Sequence, residues 1–319
     1  MACPSVFQGN RGCAMSGQVG HGQVQDPLHD IVAVTDFSDS AHDAVFRAGM
    51  LAVTGEGRRL GIVHALRRGM LDALHDLLAR EDDEALLREA DERARVQLDT
   101  LRVELAEALG LRADTELVRG RAARVIDDYA RQRDAGLLVL GECNEGFVTE
   151  LLLGTMSERL LGRTSRALLV VRRIPRLPYQ RVLVPVDFSP DSLHALDLLS
   201  ALAPQAQKVL MFAAEMPYRG LLDEHTAGGG LAGLRAAAES TALQRLRALA
   251  ESHGLSEDAC ECVVMHGEPG PAVLTCGERV GCDLIAMGKH GRNRLADVMI
   301  GSVTRHVMGL SPCDVLVAT

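Results

Sequence analysis

The chain has 319 residues, 47% hydrophobic and 24% charged, an ordinary globular composition that excludes collagen-like, coiled-coil-only and disordered readings. With 34 basic against 43 acidic residues the formal charge is −9, and the rings are six Phe, three Tyr and no Trp. This disfavours both a global electrostatic grip on nucleic acid and a base-stacking platform, and at about 150 residues per domain the length predicts two domains.

Residues 1–27 are rich in Gly, Gln, Ser and Cys without an apolar period, and read as a disordered tail. They lack the basic start and apolar stretch of a secretory signal, and Met15 competes with Met1 as the translational start. No run approaches eighteen apolar residues, so no membrane span is expected. The eight cysteines form no CxxC pair and read as reduced thiols, which places the chain in the cytosol.

Short apolar runs then alternate with stretches of helical period. Strands are predicted at Ile31–Thr35, Gly61–His64, Glu116–Val118, Leu137–Leu140 and Leu168–Val171. Leu71 to Leu109 is charged and amphipathic, a helix broken near Glu81–Asp83, with i,i+4 charge pairing from Arg80 to Arg102. Arg172–Gln180, with Pro175 and Pro178, reads as a linker. The pattern then recurs: strands at Val182–Val186, Lys208–Ala213, Glu261–Met265, Leu284–Met287 and Val315–Val317, with a helix from Leu231 to Ser252 after a Gly228–Gly230 hinge.

The recurrence extends to single residues. Asp36-Phe-Ser38 reappears as Asp187-Phe-Ser189, and Gly154-Thr155 as Gly301-Ser302. The chain is a tandem duplication. Near-continuous apolar strands alternating with helices predict two doubly wound, parallel-sheet α/β domains, at 28–174 and 175–319, with ligands bound outside the carboxyl ends of the strands.

In the second half that edge carries Gly288, two residues, Gly291, nine residues, then Gly301-Ser302 ahead of a helical stretch at Val303–Met308. Glycines let backbone approach a ligand, Ser302 is expected to cap the helix, and Lys289, Arg292 and Arg294 make the loop basic: a phosphate cradle. Asp187, ending the first strand, is placed to accept from ribose hydroxyls. The first-half loop keeps the spacing of Gly141, Gly154 and Thr155 beside Asp36, but Asn144 replaces the second glycine. Glu142 and Glu145 replace the positive charges, and Thr155 with Glu158 spells a capping box. Like charges beside a triphosphate are unfavourable, so this half is expected to bind ATP weakly or not at all and to serve as a packing partner.

The strand ending in Asp-Phe-Ser, the glycine loop and the Ser311-Pro-Cys-Asp-Val-Leu-Val ending resemble the universal stress protein family, over about residues 28–319. The resemblance implies a flavodoxin-like, adenine nucleotide alpha hydrolase-like fold and dimer-like packing of domains, within the chain or in a homodimer. Leu168–Val171 and Val315–Val317 would be the meeting strands. It also implies ATP, with Mg²⁺, in members that keep the glycines. By family position Asp187 would hold the ribose and the backbone near Ala214 the adenine, while Gly288, Gly291, Gly301, Ser302 and Val303 would hold the phosphates.

Other candidates read as structure. Cys260 and Cys262 share a strand face before His266 but lack a second ligand pair at zinc spacing. His64 has no nucleophile motif to partner it, and the resemblance supplies a structural histidine there. His290 is either a phosphate contact or a solvent-facing loop residue. The function expected is an ATP-binding stress-response protein with slow hydrolysis at most, no nucleic-acid or membrane partner, and an unidentified protein partner. The competitors are a nucleotide-free interaction module and an ATP pyrophosphatase or adenylating enzyme. The last is disfavoured because Phe188-Ser-Pro-Asp191 stands where a Ser-Gly-Gly loop would be.

Overall fold

The computed structural model describes residues 26–66, 83–142, 155–214, 230–291 and 299–319. In chain order the first half comprises β1 (Asp30–Thr35), α1 (Asp39–Thr54), β2 (Arg59–Leu66), α2 (Asp83–Leu109), β3 (Asp114–Arg119), α3 (Ala122–Gln132), β4 (Leu137–Gly141), α4 (Met156–Leu161) and β5 (Ala167–Val171). The second comprises β6 (Arg181–Pro185), α5 (Pro190–Leu202), β7 (Gln207–Ala214), α6 (Gly230–Ser252), β8 (Cys260–His266), α7 (Pro269–Val280), β9 (Leu284–Gly288), α8 (Ser302–Leu310) and β10 (Asp314–Ala318). The predicted strands are all present, most of them longer by one or two residues. The suggested break near Glu81–Asp83 and the Gly228–Gly230 hinge fall at or beyond the edge of the described residues.

All ten strands form one sheet in the order β3-β2-β1-β4-β5-β10-β9-β6-β7-β8. Within each half the strands are parallel, and the order reverses between β1 and β4 and again between β6 and β9. Side chains alternate across a strand, so the buried strands feed two cores. Ile31 and Ala33 of β1 pack with α1, α2, α5 and α6 on one face. Val32 packs with α3, α4, α7 and α8 on the other. Both cores run through the two halves without a break. Among the described residues no helix is long and apolar enough to cross a membrane.

The halves meet where β5 and β10 pair antiparallel, with Val170 opposite Val315 and Leu168 opposite Val317. Asp314, fully buried, fastens this seam. Its carboxylate accepts from the backbone N–H groups of Arg172 (2.8 Å) and Arg173 (3.1 Å) and from the Tyr179 hydroxyl (2.7 Å). Arg47 of the first half lies 3.5 Å from the same carboxylate and stacks on the Tyr179 ring. Burial and the adjacent carboxylate push the Tyr179 hydroxyl well above its ordinary pKa. Arg172 donates to the carbonyls of Ser311 and Met308, and pairs with Glu142 at 3.0 Å. The linker is therefore threaded into the seam at both of its ends.

Candidate functional site

Asp36 and Asp187 stand at the two points where strand order reverses, the places where such sheets take ligands. In each half the next residue is a phenylalanine with positive φ, Phe37 at 67° and Phe188 at 63°. A bulky residue rarely adopts that conformation. It turns the chain so that the Asp Oδ1 accepts from the N–H two residues on, at 3.0 Å, and from that serine's hydroxyl at 2.5 Å, in both halves. The serine then caps the following helix, Ser38 on α1 and Ser189 on α5. Asp-Phe-Ser is thus one strand-to-helix joint built twice, and by itself it does not distinguish a binding half from a silent one.

The strand-end glycines are also shared. A Cβ on Gly141 would lie 2.2 Å from the Ser40 carbonyl oxygen, and one on Gly288 would lie 2.6 Å from Asp191 Cβ. Both are required by the closeness of the strand end to the helix N-terminus. Gly291 is different: a Cβ there would sit 3.0 Å from Asp187 Oδ2, so the loop backbone lies against the carboxylate. The loop is anchored behind this point. Gly301 N–H donates to the Lys289 carbonyl at 3.0 Å, and the Thr304 hydroxyl donates to the Gly288 carbonyl at 2.9 Å.

Two local expectations for this loop need correction. Ser302 is not the cap of α8 but its first helical residue. Gly301 precedes it as the N-cap residue, and among the described residues no side chain caps the helix. The cause is that Gly301 has no side chain while Thr304, which could reach back, is spent on the strand exit. Lys289 is 5% exposed, so its charge is a buried one and not part of a solvated basic loop. Arg292, Arg294, Asn144, Glu145 and Gly154 lie outside the described residues.

His290 does not face solvent. Its side chain is 9% exposed, and Asp191, itself buried, accepts from His290 N–H at 3.1 Å and pairs with Nδ1 at 2.9 Å. The Nε2 atom is buried without a hydrogen-bond partner. Sequence reading missed Asp191 because an acid in the first turn of a helix has a sufficient local explanation. Its first-half counterpart is Ser40, so this tie exists in one half alone. Ala214 ends β7, and its carbonyl accepts from Gly267 N–H at 3.3 Å.

The first-half cleft is built of different chemistry. Thr155 and Glu158 form the expected capping box on α4: Thr155 Oγ1 accepts from Glu158 N–H at 3.3 Å, and the Glu158 carboxylate accepts from Thr155 N–H at 3.1 Å. Glu158 also pairs with Arg305 of the second half at 3.3 Å, and Glu142 with Arg172. His64 donates Nδ1–H to the Thr35 carbonyl at 2.8 Å and lies 4.3 Å from the Phe37 ring. Burial holds its pKa below the ordinary 6.5, against the raising effects of that hydrogen bond and of Asp36. Phe212 takes the matching place beneath Phe188, at 5.7 Å.

Two compartments flank Gly141. One, of about 90 Å³, is mainly apolar and includes Asp36, His64, Ile126 and Met156. The other, of about 190 Å³, is bounded by Glu142, Thr155, Ser157, Glu158, Arg172 and Arg305, and so opens at the seam.

Cys260, Cys276, Cys282 and Cys313 are buried and Cys262 half-buried, all as free thiols. Burial raises the Cys260 thiol to about 11. Cys282 and Cys313 stand 3.7 Å apart, sulfur to sulfur, a meeting that their spacing in the chain does not announce. Among the described residues no group of three or more His, Cys, Asp or Glu side chains is placed to hold a metal.

Comparison with known proteins agrees with this architecture. A profile described as "Universal stress protein family" matches residues 27–172 and again 178–319. Universal stress protein MT2052 of Mycobacterium tuberculosis is 25% identical over 222 residues, 64% of this chain and 64% of that protein. The chain spans less than two thirds of the length of the curated relatives it matches. A universal stress protein structure from Archaeoglobus fulgidus superposes with a TM-score of 0.66 at 18% identity, over 91% of this chain and 96% of that one. Another, from Pseudomonas aeruginosa UCBPP-PA14, does so with 0.56 at 15%, over 91% and 92%. At these identities the likeness is one of fold.

Proposed function

The chain belongs to the universal stress protein family twice over, and on that premise we propose that its second domain is a cytosolic binding site for ATP, used as a regulatory or structural ligand. The observation that carries this reading is the state of α8. Among the described residues no side chain caps its first turn, in a nine-residue helix that follows a loop whose Gly291 backbone lies against Asp187. An uncapped helix start attracts anions through free N–H groups and the helix dipole, and a carboxylate alongside accepts from a ribose diol.

The residues fit the group. Gly291 and Gly301 leave no Cβ between loop and ligand, Ser302 and Val303 offer backbone N–H groups, and Asp187 is the diol acceptor. Ala214 supplies main chain at the end of β7 for the adenine edge. Arg292 and a Mg²⁺ ion belong to the same reading as counter-charges for the phosphates. ATP would supply a binding-dependent state of the chain. His290 is committed to Asp191 and is not read as a general base for the phosphate end. Slow turnover at most is part of the same proposal.

Isothermal titration of Mg-ATP into nucleotide-stripped protein tests the reading by its stoichiometry. One site per chain is expected. Two would mean that the first domain accepts the triphosphate despite Glu142 and Glu145, and none would leave an interaction module with two vestigial clefts.

A further inference from the structure

We propose that Cys282 and Cys313 form a redox site: a dithiol that hydrogen peroxide closes reversibly to a disulfide, clamping the starts of β9 and β10 together. The site stands apart from both strand-end clefts and does not depend on either domain binding a nucleotide.

The sheet brings the two sulfurs together. Cys282 follows Gly281, the left-handed cap of α7, and Cys313 immediately precedes β10. The parallel register that sets Asp314 opposite Leu284 lays these two turns side by side, and thiols 31 positions apart in the chain meet at 3.7 Å. A disulfide needs its sulfurs at about 2.05 Å, a closure that side-chain rotation and a small shift of the two turns supply. The fold itself does not call for thiols here. Where β4 and β5 repeat β9 and β10, Ala135 stands in place of Cys282 and Arg166 in place of Cys313, and Ala135 is as buried as Cys282.

The two sulfurs differ in chemistry. Contact with Cys282 lowers the Cys313 thiol from its ordinary pKa against the effect of burial; the Ser311 hydroxyl, 3.4 Å away, and the Arg173 guanidinium act in the same direction. Arg173 is held there by its bond to the Pro312 carbonyl at 3.0 Å. The same contact, with burial, raises the Cys282 thiol. A sulfur that ionises beside one that keeps its proton is the arrangement of an attacking and a resolving cysteine. The Cys313 thiolate attacks one peroxide oxygen, the O–O bond breaks, and the departing hydroxide takes up the proton that Cys313 gave. The Cys282 sulfur then attacks the sulfenic acid; an S–S bond forms, the S–O bond breaks, and the Cys282 proton leaves with the oxygen as water. Two thiols and one peroxide thus give one disulfide and two waters.

Both sulfurs are buried, but Gly281 and Pro312 beside them are exposed, so the pair lies one residue beneath the surface. That depth suits a small uncharged oxidant better than a bulky disulfide. The bond would enclose β9, the glycine loop and α8 in one covalent ring, which limits the freedom of the unfolded chain.

The test treats the native full chain with millimolar hydrogen peroxide, blocks the remaining thiols and maps tryptic peptides by mass. Residues 280–289 hold Cys282 as their one cysteine and residues 306–319 hold Cys313, so a link between them is unambiguous. The expected product is the joined pair of peptides, lighter than its parts by two hydrogens and separated by dithiothreitol. Cys282→Ala, which copies the first half, should leave Cys313 to overoxidise to sulfinic acid, whereas in Cys313→Ala protein Cys282 should stay a free thiol. The linked parent should unfold at higher urea than the same sample after dithiothreitol. The proposal is overturned if the two cysteines stay unlinked in the native chain, or if they link only once urea has unfolded it. It is equally overturned if Cys282 in the Cys313→Ala protein oxidises as readily as Cys313 does in Cys282→Ala, or if reduction of the linked chain leaves its urea midpoint unchanged.

Discussion

The first and second domains end their opening strands in the same joint, with the same aspartate, the same left-handed phenylalanine and the same capping serine. They diverge a few ångströms away, at the start of the helix that follows the fourth strand. In the first domain that helix closes its own end with Thr155 and Glu158; in the second it begins at Gly301-Ser302 with no side-chain cap among the described residues. A self-capped helix gains stability and loses a place for an anion. An uncapped one gives up that stability and leaves its N–H groups to other acceptors. Duplication has let one fold hold both solutions side by side.

The seam offers the sharpest way to break this division, and Asp314 is its centre. Asp314→Ala leaves Arg47, Tyr179 and two linker N–H groups without their buried acceptor. It is expected to cost about 3–5 kcal/mol in urea unfolding, since breaking a buried charged network strands its other members. Next in size is nucleotide binding. Gly291→Glu sets a carboxylate against Asp187 and should abolish ATP binding by titration. Asp187→Ala should weaken it at least tenfold, and Asp36→Ala should leave it within about twofold.

The caps allow a finer comparison. Thr155→Ala should cost about 1 kcal/mol of stability and leave ATP affinity alone. Ser302→Ala should change stability by less than about 0.5 kcal/mol, because the helix was never capped by that hydroxyl. The smallest effect concerns pH. His64 is held below 6.5 by burial, so between its folded value and 6.5 the unfolded chain binds more protons than the folded one. Stability conferred by the first domain should decline as pH falls below about 6.5. His64→Phe, the residue found at the matching place in the second domain, should flatten that slope in denaturation midpoints measured across the interval.

The strands, their parallel order and the duplication were legible because the inner strands are buried on both faces and spell runs of apolar residues, a signal that needs no partner to be read; the edge strands β3 and β8, half-exposed, spell it more weakly. The capping box was legible for the same reason: Thr155 and Glu158 answer each other within one turn. Ser302 failed as a cap because its preference is shared with its neighbours, and Thr304 is drawn to the strand exit instead. The tie from Asp191 to His290 and the meeting of Arg47, Tyr179 and Asp314 were illegible, since each joins residues about 100 or more positions apart. Gly288 carries two readings at once. Its pattern fits a ligand loop, and its twin Gly141 shows the same steric need in a half expected to bind ATP weakly or not at all.

The nine residues from Arg172 to Gln180 carry one more implication. Two separate subunits joined edge to edge part when diluted below their dissociation constant, so their pairing follows how much protein a cell makes. A short tether keeps the two edges at a local concentration on the order of millimolar whatever the number of chains present. With Arg172 and Tyr179 drawn into the joint they connect, this pairing is indifferent to expression level, and a single copy of the chain is already assembled.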